Sequence, residues 1–438
     1  MLDVSLLEKA IRALQQYSLC DHCLGRLFAR VGYGLENFER GRALKDSIYL
    51  LVHYKLRLVT SLEEQKRLIE LVLRLAESGH EPSLRYLNDS LRMNVEVKPC
   101  AVCLNRYFYK IDKLVEAALS KLRELKHEFR TYYVGSRVSK EVTMREVEIT
   151  TSLGIDTAES IKRELNRLVG KRLRMHLYGK EFRRDNADIE IIVDFERDQV
   201  EIEIKPLYIY CRYRKLYRGV SQVQLRLNVV TSVQKVLNET LGELLGAEEV
   251  IVHASGREDL DVRMLGNGRP LVIAFVRPVR RPEPDDFKKI AEEALRDAPV
   301  ELNTDVVKRA TKTDIVKLKR EANRHSKIYR VLVLLREDVT EEQLRSLESY
   351  FRNRQIVQYT PRRIKRKPQH KKRTRTVYEL RARKLAPRLI ELLVRCQGGL
   401  YVKELVTGDY GRTSPSISDT LGVEAIPIEL DVLDVLET

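Results

Sequence analysis

The chain has 438 residues, 43% of them hydrophobic and 33% charged, a composition that builds cores and is too long for one ordinary domain. A net charge of +16 points to a polyanionic partner, with nucleic acid the first candidate. No apolar run is long enough to cross a membrane, and the N-terminal MLDVSLLEKAIRALQQYS mixes charge with apolar residues unlike a signal peptide, so a cytoplasmic protein without a membrane partner is expected.

In chain order, residues 5–18 read as an amphipathic helix. Cys20-Asp21-His22-Cys23 follows, then a helical pattern near 38–56. Ser61-x-x-Glu64 is a capping-box signature for a helix through about Glu77. Pro99-Cys100-Ala101-Val102-Cys103 completes a second Cys-x-x-Cys pair. Each pair makes a chelating turn, and two such turns make a tetrahedral zinc site. Cys20, Cys23, Cys100 and Cys103 are therefore expected to hold a structural zinc. Pro-Cys-x-x-Cys is also half of a nucleobase-deaminase signature, but no His-x-Glu precedes Cys100. Four thiolates leave no ligand position open for water, which argues against a catalytic metal. Cys211 and Cys396 stand alone and read as core positions.

Residues 111–126 read as a helix, 129–150 as strands and 157–169 as a helix. Ile189–Phe195 and Gln199–Ile204 read as a strand pair across a short polar turn. From Tyr208 to Gln222, basic residues alternate with tyrosines. Cations meet phosphates and rings stack on bases, so the pattern predicts an RNA groove formed by Arg212, Arg214, Lys215 and Arg218.

Residues 226–245 read as a helix, Val250–Val252 as a strand, and Leu271–Val276 as another. Between the strands lies a polar loop with Arg257, Glu258, Asp259, Asp261, Arg263 and Arg269, and with Gly266, Asn267, Gly268 and Pro270 near its end. Such a loop suits a polar, anionic ligand. A helix is expected at 285–296, a basic segment at 308–330, a strand at 331–336 and a helix at 341–353. From Arg362 to Arg375 there are nine Lys or Arg and no acid. This block sits inside the chain and reads as a loop or hairpin along RNA phosphates, with Arg362, Arg363, Lys365 and Arg366 in contact. Residues 382–395 fit a strand or a helix, and 424–435 the last strand.

A resemblance adds to this reading. The run from Gly256 to Pro270, GREDLDVRMLGNGRP, resembles the catalytic loop of the archaeal and eukaryotic tRNA pseudouridine synthases that modify T-loop uridines 54 and 55. Gly256-Arg257-x-Asp259 more loosely resembles the loop of other pseudouridine synthase families. Leu24-Gly25-Arg26-Leu27-Phe28, the 212–219 run, Gln358 to Arg363, Gly398 to Leu405 and Gly408 to Ser416 are similar to further parts of the same family. Residues 60–210 resemble a THUMP domain, an RNA-binding module of tRNA-modifying enzymes.

The resemblance implies an α+β protein. A zinc-stapled accessory region would occupy 1–58 and 90–110, a THUMP-like α/β module 60–210, and a catalytic domain 211–438, with a mixed, mostly antiparallel sheet flanked by helices. It implies Asp259 as the catalytic carboxylate and Tyr329 and Tyr401 beside a flipped uridine. A cation should pair with Asp259, and Arg257, Lys403 and Arg412 are the candidates; Glu258 and Asp261 support the loop. No cofactor is implied for catalysis, the partner is the tRNA T arm, and no protein partner is evident. The residues alone leave Tyr329 and Tyr401 as tyrosines beside apolar strands.

The alternative is a non-catalytic basic RNA-binding or RNA-chaperone protein with a structural zinc. It explains the charge and the cysteines but not an acid-bearing loop between strands. A methyltransferase would need a Gly-rich loop after an early strand, and a thiouridine synthetase a Ser-Gly-Gly-x-Asp-Ser loop; the chain has neither.

Overall fold

The computed structural model describes residues 5–223, 231–322, 325–364 and 368–436. It divides into one unit of Met1–Leu125 with Phe129–Glu203 and another of Lys126–Glu128 with Ile204–Thr438.

The first unit begins with helices Ser5–Gln16, Asp21–Leu27, Asn37–Leu56 and Leu62–Glu77. Ser61 stands at the start of the last of these, but its side chain makes no capping bond. Two glycines bring Asp21–Leu27 and Asn37–Leu56 to backbone contact. A Cβ on Gly25 would lie 1.8 Å from the Asn37 carbonyl oxygen, and one on Gly41 1.9 Å from that of Asp21. Any side chain there would push the helices apart.

The sheet of this unit runs in the order Glu181–Phe182, Thr131–Arg137, Ile189–Asp194, Gln199–Ile204. Its central pair is parallel, with Tyr132 opposite Ile189. Ile189, Ile191 and Val193 point inward at a period of two. Helix Ile161–Arg174 packs on Thr131–Arg137 with Ile161, Leu165, Val169 and Leu173 buried at every fourth residue. The strands expected over 129–150 end at Arg137. Lys140–Ser152 is a helix, because the Ser139 hydroxyl accepts the Val142 N–H at 3.2 Å and caps its first turn.

The second unit is built on one large sheet. Its order is Thr413–Ser414, Arg354–Tyr359, Lys372–Ala386, Leu389–Gln397, Ser326–Leu335, Ala425–Leu436, Val262–Val276, Leu207–Lys215, Val300–Arg309, with Glu249–Ala254 also paired to Val262–Val276. Among the described strand pairings of this sheet only Ala425–Leu436 with Val262–Val276 is parallel. The expected mixed, mostly antiparallel sheet is therefore present.

Val262–Val276 is the hub, because Leu271 to Phe275 are buried on both faces. Leu271, Ile273 and Phe275 face the main core. Val272 lies under Ile315 and Leu318 of the helix Lys312–Glu321, an element the basic composition of 308–330 concealed. The stretch from Gly266 to Pro270 is not a loop. It is a kink within this strand, with Gly266 at φ +57 and Gly268 at φ +82. A Cβ on Gly266 would lie 1.9 Å from the Leu433 carbonyl oxygen. The ladder to Leu207–Lys215 skips here, from Arg269 opposite Tyr213 to Met264 opposite Lys215, as a bulge allows. The helix expected from 226 is seen from Val233 to Leu245, capped by Ser232; its first part lies outside the described residues.

Candidate active site

The site is assembled where strand Glu249–Ala254 ends and the chain turns through Ser255 to Asp261 before entering Val262–Val276. Ser255 is buried. Its N–H donates to the Pro270 carbonyl at 2.9 Å, and its carbonyl accepts from Arg269 Nη1 at 2.8 Å. Gly256 turns the chain at φ +85. A Cβ here would come within 3.0 Å of Lys327 Nζ and 3.1 Å of Arg269 Nη1, so glycine lets the loop lie directly on these two cations.

Below the loop is a buried polar cluster. The Glu258 carboxylate accepts from the Tyr213 hydroxyl at 2.8 Å and from Arg269 Nε at 2.8 Å. Gln222 Nε2 bonds the Tyr213 hydroxyl at 2.9 Å and the Gly256 carbonyl at 3.0 Å. Lys215 Nζ donates to the Val220 carbonyl at 2.8 Å and to the backbone carbonyl of Asp259 at 3.0 Å. Burial opposes the charge on Glu258, but the Arg269 and Lys215 cations win and hold its carboxyl below the ordinary range. Burial also pushes the Lys327 ammonium down, to about 7, and Arg269 adds to the effect.

Above the cluster, the Asp259 side chain is 43% exposed. Arg363 Nη1 donates to it at 2.8 Å, and Lys403 Nζ lies 3.6 Å away. Lys403 is closer to Asp261, at 2.7 Å. Burial acts against the Asp261 charge, but the Lys403 hydrogen bond holds its carboxyl below the ordinary range. Arg363 also holds Glu404 through Nε at 2.6 Å.

Tyr329 lies on strand Ser326–Leu335 and is 9% exposed. Burial pushes its phenol well above the ordinary range, and the Glu258 and Asp259 carboxylates push it the same way. Tyr401 is the N-cap of helix Val402–Thr407. The buried Gln358 amide clamps its backbone, accepting its N–H and donating to its carbonyl, each at 2.9 Å. The Arg373 guanidinium lies 4.7 Å from its ring centroid.

The structure thus brings Asp259, Lys403 and Tyr329 into one neighbourhood and adds Arg363, which the sequence suggested only for RNA contact. The other two candidate partners of Asp259 stand elsewhere. Arg257 is exposed. Arg412 donates to the Thr360 carbonyl at 2.9 Å and to that of Gln369, bracing the basic segment from within.

The proposed groove residues are mostly engaged within the sheet. Lys215 is fully buried. Arg212 donates to the carbonyls of Gly268 and Val435. Arg218 ties the Asp261 and Leu430 carbonyls to Asp431. Arg214 pairs with Glu301 at 3.0 Å. Lys215 continues the inward-facing alternation of Leu207, Ile209, Cys211 and Tyr213, so its charge is spent inside the sheet. Arg362 is exposed, while Lys365 and Arg366 lie outside the described residues.

In the first unit, the sulfurs of Cys20, Cys23, Cys100 and Cys103 all lie within 4.8 Å of one another, and Cys20 and Cys103 are 3.6 Å apart. Tetrahedral zinc with Zn–S bonds of about 2.3 Å requires sulfur separations of about 3.8 Å. The four side chains can therefore hold a metal ion, and the donor set fits zinc. Arg26 Nη2 donates to Cys23 Sγ at 3.3 Å and offsets part of the thiolate charge.

Known proteins share this chain end to end. A protein named tRNA pseudouridine synthase Pus10 from Vulcanisaeta distributa is 39% identical over 98% of this chain and 99% of its own length. One of the same name from Caldivirga maquilingensis is 38% identical over 99% of this chain and 100% of its own. A solved Cbf5-Nop10-Gar1 complex aligns at 17% identity and a TM-score of 0.30, over 52% of this chain and 48% of that one, too weak a likeness to carry an argument. Residues 208–436 match the family model described as Pus10, C-terminal, and residues 114–194 the one described as Pus10 THUMP domain, archaeal. The chain belongs to the Pus10 family.

Proposed function

We propose that this chain isomerises uridine to pseudouridine in the T loop of tRNA, at positions 54 and 55, with Asp259 as the acting carboxylate. The observation that carries the reading is the Asp259 side chain itself. It is half-exposed and held by Arg363 at 2.8 Å, on a loop whose backbone is fixed from beneath by buried ions. The family's relatives bear the name tRNA pseudouridine synthase. The choice of positions rests on the resemblance of residues 256–270.

The reaction breaks the N1–C1′ bond of uridine, turns the base, and joins C5 to C1′; the C5 proton is lost and N1 regains one. The target must leave its stack to reach Asp259. Tyr329 and Tyr401 offer rings against which a flipped base can rest. The raised phenol of Tyr329 keeps that ring neutral. Preorganised cations beside the carboxylate stabilise its charge. In this reading residues 211–438 catalyse, while 1–58 with 90–110 and 60–210 receive the RNA.

On tRNA transcripts tritiated at uracil C5, the wild type releases tritium and Asp259→Ala does not. An Asp259→Ala protein as active as wild type would remove Asp259 from the mechanism. The four cysteines are assigned a structural zinc. Metal analysis of reduced protein should find about one zinc per chain. Metal-free protein with an intact first unit would refute that assignment.

A further inference from the structure

Between helix Val402–Thr407 and the short strand Thr413–Ser414, the chain makes a turn that costs it conformational energy. Asp409 has φ +48, Tyr410 φ +56 and Gly411 φ +78. Two successive residues with side chains in the left-handed region are unfavourable unless their surroundings impose it. Here they do. Gly408 N–H donates to the Glu404 carbonyl at 2.8 Å, Thr413 N–H to the Gly408 carbonyl at 3.0 Å, and Arg412 N–H to the Asp409 carbonyl at 3.2 Å. The Asp409 carboxylate accepts the Arg362 backbone N–H at 3.2 Å.

The result of this construction is a tyrosine ring that is 87% exposed. A large ring held in water by a braced turn is poorly explained by folding, since it buries almost nothing. One of its faces is backed by the Arg362 guanidinium, 4.8 Å from the ring centroid. The other face is open. The next residue, Arg363, donates to Asp259 at 2.8 Å and to Glu404 at 2.6 Å, on the helix that leads into the turn. The ring and the carboxylate are thus tied to consecutive residues of one segment, whose Cα atoms are about 3.8 Å apart.

We propose that Tyr410, backed by Arg362, is a stacking platform for an unpaired nucleobase flanking the uridine that enters the Asp259 site. This rests on the proposed activity and deepens it by naming how the neighbouring nucleotide is held. A cation on one face of a ring and a base on the other is the arrangement by which proteins hold single-stranded RNA. The segment's charge agrees, with nine Lys or Arg and no acid from Arg362 to Arg375. A base extruded from a loop leaves its neighbours unstacked, and a fixed ring restores one stacking partner.

The test has two arms, both on full-length protein. In steady-state pseudouridine formation on an unmodified tRNA transcript, Tyr410→Ala raises KM about tenfold, the scale of one lost base–aromatic stack, with kcat within twofold of wild type. Tyr410→Phe, which keeps the ring, restores KM. In the second arm, 2-aminopurine replaces each nucleotide flanking the target in turn. At one position wild type quenches its fluorescence on binding, and Tyr410→Ala does not. Tyr410 is exposed, so the variant should melt as wild type does. A Tyr410→Ala KM within twofold of wild type, or identical quenching at every position, overturns the platform. A wild type that forms no pseudouridine sinks the proposed activity instead, and the fluorescence arm still decides the platform.

Discussion

Glu258 and Asp259 are neighbours on one loop, yet they occupy opposite environments. Glu258 is buried among Tyr213, Arg269 and Lys215, every partner a fixed side chain of the sheet. Asp259 is half-exposed, and its partners Arg363 and Lys403 come from the segments after Arg354–Tyr359 and Leu389–Gln397. The first carboxylate holds the loop's shape and the second presents its charge to solvent. A buried ion pair is a poor source of net stability but becomes destructive when one partner is removed. An exposed pair contributes little to folding but can be reached by a ligand.

Mutations can break this division of labour. The largest expected effect is on catalysis. Asp259→Ala should lower tritium release by at least ~10³-fold, the scale for losing an acting acid or base, while its melting temperature stays near that of wild type. A large drop in melting temperature would mean that Asp259 is part of the frame. Next comes Glu258→Gln, which leaves the Arg269 guanidinium buried without a counter-charge. Urea unfolding should show a loss of about 3 kcal/mol, with activity falling only as folded protein is lost. Unchanged stability would erase the contrast between the two acids.

A pH-dependent effect sharpens the picture of the lower cluster. Lys327 is held down to about 7 against an ordinary 10.5, so between these values the unfolded chain carries a proton the folded chain lacks. Stability therefore rises with pH across that window. Lys327→Met should be the more stable protein at pH 6, and the gap should narrow as pH rises toward 10. Melting curves from pH 6 to 10 check this, and a constant gap would show that Lys327 does not titrate there.

Much of the frame was legible in the chain. The Cys-x-x-Cys pairs mark the sulfur cluster, and the alternation at 189–204 marks its strand pair. The run from Gly256 to Pro270 located the loop, though not its kinked half, because glycines at positive φ look alike in a loop and in a bulge. Arg363 escaped as a partner of Asp259 for want of any local signal: 104 residues separate them. A run of cations looks the same whether one of them faces phosphate or a carboxylate. Two buried lysines of the second unit were legible and missed. Lys215 continues the inward series Leu207, Ile209, Cys211, Tyr213, and Lys327 begins the series Tyr329, Val331, Val333, Leu335. In each case period two outranks the charge of a single residue.

Arg363 divides its guanidinium between Asp259 and Glu404. A cation with a single anionic companion is stranded when that companion is neutralised, and must then move or draw in solvent. Here Glu404 keeps the fork in place whatever befalls Asp259. Under the proposed mechanism, a change of charge at the Asp259 carboxylate proceeds with little rearrangement around it, which lowers the reorganisation cost of each turnover.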